Sequence, residues 1–138
     1  MPGKKSNVFT YMGVDFFPNS CFRDLQQIEQ LHYDYCILDY GVLFSGSFPE
    51  YVRASSKIAV STVSEWNFNK CYSFIMSMQK QIIDQKHFLF LGNLGPPKQI
   101  RTLKQRTDGN VMSFPYLKDP FQLTSDQWGI FKELLGKL

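Results

Sequence analysis

The chain has 138 residues, with 43% in the set AVILMFWYC and 20% charged, a composition that suits one globular domain with a real core and excludes a disordered or low-complexity chain. Lysine and arginine number 15 against 12 aspartates and glutamates, and a surplus of three implies no obligate nucleic-acid partner. No apolar run approaches the ~20 residues of a membrane span, and no apolar stretch follows Met1-Pro2-Gly3-Lys4-Lys5, so neither a span nor a secretory signal is predicted.

Five apolar, β-rich runs follow one another along the chain. Val8 to Val14 is the first and leads to the turn signal Pro18-Asn19-Ser20. Asn19 or Ser20 can cap a helix whose apolar positions are Phe22, Leu25, Ile28 and Leu31. The second run, Tyr35-Cys36-Ile37-Leu38, ends in Asp39-Tyr40-Gly41. Between it and the third run, Pro49 to Ala54 leaves room for only a turn or two of helix. Lys57 to Ser61 is that third run, and after Ser64 a helix is predicted with Cys71, Phe74, Ile75, Met78 and Ile82 on one stripe. Phe88-Leu89-Phe90-Leu91 is the fourth and ends in Gly92-Asn93, before a helix opened by Pro96-Pro97 and carrying Ile100 and Leu103. Val111 to Phe114 is the fifth and stops at Pro115. Thr124 with Gln127 reads as a capping box for a last helix bearing Trp128, Phe131, Leu134, Leu135 and Leu138.

Runs two and four are continuously apolar, as in strands covered on both faces of a parallel sheet. The alternation of strand and helix predicts a single α/β domain over residues 1–138: a Rossmann-like, three-layer α/β/α sandwich around a mostly parallel five-stranded sheet. In such sheets function gathers beyond the C-terminal strand ends. That rule singles out Pro18-Asn19, Asp39-Tyr40-Gly41, Ser61-Thr62, Gly92-Asn93 and the segment Pro115 to Pro120.

Asp39 is the most informative of these residues. A carboxylate directly after an apolar strand has the form of a Walker B segment, which holds Mg²⁺ beside nucleotide phosphates. The same residue type in the same place also caps turns. The phosphate cradle G-x-x-x-x-G-K-[ST] is absent: Gly41 to Gly46 has the glycine spacing, but Ser47-Phe48 stand where Lys-Ser/Thr is required. His32 and His87 are far apart, and the three cysteines, Cys21, Cys36 and Cys71, have no C-x-x-C spacing, so neither a metal site nor a disulfide framework is predicted and a reducing cytoplasm is the expected setting. Cys36, inside a predicted central strand, reads as a small buried apolar residue. Lys98, Arg101, Lys104 and Arg106 mark a broad solvated helix face with room for contact to nucleic acid or acidic lipid. The last helix packs on the sheet by default, with a peripheral membrane contact as the alternative.

The order of segments resembles the MinD/ParA family of P-loop ATPases. Tyr33-Asp-Tyr-Cys-Ile-Leu-Asp39-Tyr-Gly41 is similar to the family's "YDYIIIDxG" segment, and Val14-Asp-Phe-Phe-Pro18 stands where the family has a strand ending in a proline turn. Tyr51 to Glu65 resembles "ADKVIVVTxPSE", Phe88 to Asn93 the strand ending in an adenine-recognising asparagine, and Phe114 to Pro120 the "IPYxxDP" loop beside the base. The resemblance implies that Asp39 is the magnesium-side carboxylate, that Gly41 is the switch-loop glycine, and that Asn93, Pro115 and Asp119 lie near the base. The chain departs from the family in beginning after the Walker A region. It is then either a short remnant or the C-terminal part of a longer ATPase, and in both cases this chain is expected not to hydrolyse ATP. ATP or ADP with Mg²⁺ would bind weakly at most, because phosphate contacts supply much of such binding.

Three functions follow as expectations. The first is a non-catalytic, MinD/ParA-like domain acting by protein contact or as a homo-oligomer, because a sheet lacking a strand exposes an edge. The second is part of an active ATPase. The third is a degenerate receiver-like signalling domain, which is disfavoured because Asp15 lacks an acidic neighbour, Ser61-Thr62 follow the third run where a phospho-accepting aspartate belongs, and Pro115-Tyr116 follow the fifth where a lysine belongs.

Overall fold

A computed structural model describes residues 8–43, 46–82 and 87–137; Met1 to Lys5, part of the Gly41 to Gly46 segment, and Leu138 therefore lie wholly or partly outside the described residues. The chain divides into two compact units, the first ending at Gly41 and the second beginning at Val42.

In the first unit the run Val8 to Val14 does not form one strand. It folds back on itself as β1 (Phe9–Tyr11) and β2 (Val14–Phe16), an antiparallel pair in which Phe9 faces Phe16, Thr10 faces Asp15 and Tyr11 faces Val14. The two turn residues, Met12 and Gly13, have φ of 50° and 78°, the left-handed values that a two-residue hairpin turn needs. The rings of Phe9 and Phe16 stack with centroids 4.9 Å apart. Helix α1 (Phe22–Glu29) follows, but its cap is Cys21, not Asn19 or Ser20: the Cys21 N–H donates to Asp24 Oδ2 at 2.7 Å. The Ser20 hydroxyl instead donates to the Phe17 carbonyl at 2.8 Å. Ile28 is the buried residue of this unit among those described, and Leu31, expected on the same stripe, lies past the helix end and is exposed.

The second predicted strand is not formed. Residues 35–40 have no regular structure, and Tyr35 and Ile37 are 89% and 92% exposed. Cys36, expected to be buried, is exposed with them. A strand's hydrogen bonds come from its neighbours, so an apolar run with no adjacent ladder has no means of becoming one.

The second unit follows the predicted alternation. A short helix, α2 (Phe48–Arg53), leads to β3 (Lys57–Thr62), α3 (Phe68–Gln81), β4 (Phe88–Asn93), α4 (Pro97–Thr107), β5 (Val111–Phe114) and α5 (Ser125–Leu135). The strands form a parallel sheet in the order β3-β4-β5. The predicted five-stranded sheet is therefore, among the described residues, a three-stranded parallel sheet and a separate hairpin.

Strand β4 lies in the middle of that sheet, and Phe88 to Gly92 are all buried. Successive side chains of a strand point to opposite faces. Phe88 and Phe90 meet Phe74 of α3, each with ring centroids 6.4 Å from it. Leu89 and Leu91 cluster with Met112, against which Phe114, Ile130 and Leu134 pack. Gly92 marks the closest approach of α4, since a Cβ there would lie 3.0 Å from Ile100 Cγ1. The ends of α3 and α4 are tied by Gln79, whose side-chain amide donates to the Thr107 carbonyl at 2.9 Å. The capping box holds as well: the Thr124 N–H donates to Gln127 Oε1 at 2.9 Å.

Phe90 is fully enclosed. Phe90→Ala should cost the folded chain about 3–5 kcal/mol in urea unfolding. A loss below ~1 kcal/mol would contradict a core organised on β4.

Candidate functional site

The C-terminal edge of the parallel sheet is built from three in-register residues, Thr62 of β3, Asn93 of β4 and Phe114 of β5. Asn93 is central in that row, and Pro115 follows Phe114 directly. The Asn93 carbonyl also accepts the Val63 N–H at 3.3 Å, which extends the β3–β4 pairing one residue past β3. The next turn is tight. Leu94 takes a φ of 53°, and Gly95 lies so close to Val63 that any Cβ would overlap the Val63 carbonyl oxygen. The chain then enters α4 through Pro96 and Pro97.

Of the residues singled out from sequence, register alone thus brings Asn93 beside the Phe114-Pro115 step. Asp119 is engaged within its own loop: its Oδ1 accepts the Phe121 N–H at 2.9 Å and its carbonyl accepts the Gln122 N–H at 3.3 Å. Asp39 and Gly41 belong to the other compact unit. There Asp39 Oδ1 accepts the Gly41 N–H at 2.8 Å, and Gly41 has a φ of 57° that favours glycine. Both aspartates are therefore found in the turn-capping arrangement. Asp39 does not follow a strand, so the geometry that made it a Walker B residue is not present here. Among the described residues no three His, Cys, Asp or Glu side chains gather as a metal site. The sequence carries no phosphate-cradling motif of the form G-x-x-x-x-G-K-[ST].

Other expectations fall on exposed ground. Lys98, Arg101, Lys104 and Arg106 are exposed, while Ile100, Leu103 and Thr107 form the buried stripe of α4. Arg106 is partly engaged, with its guanidinium carbon 5.6 Å from the centroid of the Phe68 ring. On α5, Phe131 packs edge-on against Phe114 at 5.7 Å, whereas Trp128 and Leu135 are exposed. No helix among the described residues is long and apolar enough to cross a membrane.

The polar cluster that sequence reading missed is in the hairpin. Asp15 accepts hydrogen bonds from the Thr10 hydroxyl and, at 2.6 Å, from the Tyr33 phenol. The Thr10–Asp15 pair was findable once Met12-Gly13 is read as a two-residue turn, because that turn sets the register. Tyr33 carries no comparable signal. The two donors, Thr10 first and Tyr33 second, hold the Asp15 carboxyl below its ordinary 3.8. The same bond to Asp15 pushes the Tyr33 phenol above its ordinary 10.0.

No family model, no curated protein and no solved structure matches this chain.

Because the folded-state value of Asp15 is depressed, its contribution is present above the ordinary carboxylate range and is lost as pH falls through the lowered value. Tyr33→Phe should move the Asp15 carboxyl, followed by side-chain NMR against pH, upward towards 3.8. An unmoved titration would mean that the phenol does not hold the carboxylate in solution.

Proposed function

We propose that the chain is a non-catalytic, MinD/ParA-like α/β domain that acts by protein contact in a reducing cytoplasm, with a second copy of itself as the partner. The observation that carries this reading is the outer edge of β3. Strand β3 is paired with β4 on one side only among the described residues. Its residues Ile58 and Val60 lie in register with Leu89 and Leu91, yet they are 37% and 60% exposed where Leu89 and Leu91 are buried. An unpaired edge beside exposed β-branched side chains is a template for another strand. Two copies related by a two-fold axis satisfy it, since β3 would pair antiparallel with its counterpart and join the two three-stranded sheets with β5 at each outer edge. The placement of helices against alternate side chains of β4 supports the finer reading of this unit as part of a three-layer sandwich. The odd number and wide spacing of the three cysteines in the sequence are what support the reducing compartment.

Self-association is read by sedimentation velocity. The chain should sediment as a dimer at micromolar concentration, and Val60→Glu, at an exposed position, should give a monomer with its helical circular dichroism retained. A monomeric parent chain at every concentration would overturn the proposal.

A second reading, part of an active ATPase, draws on the in-register placement of Asn93 beside Phe114-Pro115. Thermal unfolding with ATP or ADP, with and without Mg²⁺, separates the two. A working site would stabilise the chain by ~2.7 kcal/mol at a hundredfold excess over the dissociation constant. The non-catalytic reading predicts no magnesium-dependent shift up to millimolar nucleotide.

A further inference from the structure

We draw no further inference here: the strongest candidate, the cationic face of α4 made by Lys98, Arg101 and Lys104, carries nothing because no second observation in the structure shows which anion or partner covers it.

Discussion

The parallel pairing of β4 on both sides is the constraint on which the second unit depends. A central parallel strand must satisfy its backbone through two neighbours and cover both faces with side chains from elsewhere. Phe88, Phe90 and Gly92 turn to α3 and α4, while Leu89 and Leu91 turn to the cluster that contains Ile130 and Leu134 of α5. Helices α3, α4 and α5 are thereby each assigned a face by the register of one six-residue strand. The same register lines up Thr62, Asn93 and Phe114 at the sheet's C-terminal edge. Gly92 lets Ile100 of α4 pack close against β4, and Gly95 lets the turn before α4 lie against Val63.

The first unit rests on a different balance. A two-stranded hairpin is at best marginal by itself in water. Here it is held by the stacked pair Phe9 and Phe16 and by the polar links from Thr10 and Tyr33 to Asp15. Ile28 is the buried residue among those described, and Tyr11, Met12, Val14, Tyr35 and Ile37 remain exposed. On the reading proposed above, this exposed apolar surface is a second feature that association would cover. It agrees in kind with the open edge of β3, and the two observations rest on different residues.

Much of the second unit is legible in the sequence because local and tertiary signals coincide there. Phe88 to Leu91 reads as a strand buried on both faces and is one, since its neighbours exist to pair with it. Pro96-Pro97, the Thr124–Gln127 box and the Cys71, Ile75 and Met78 stripe are local signals that the packing leaves intact. Tyr35 to Leu38 carries the same kind of apolar signal and forms no strand, because apolar content does not supply a hydrogen-bonding neighbour. Met12 hides the hairpin: methionine is rare at positive φ, so the sequence reads as one continuous strand across the turn. Asp39 and Asp119 show a second role for the same residue type: each carboxylate accepts the N–H two residues on and so closes its own turn.

Self-association through the sheet requires the outer edge of β3 to be a pairing surface. Amide hydrogen exchange of Lys57 to Thr62, followed as a function of protein concentration, tests that most directly. The β3 amides not bonded to β4 should become protected as concentration rises, while those facing β4 are protected throughout. Rapid exchange of the outward amides at every concentration would contradict edge pairing and leave β3 a solvated edge.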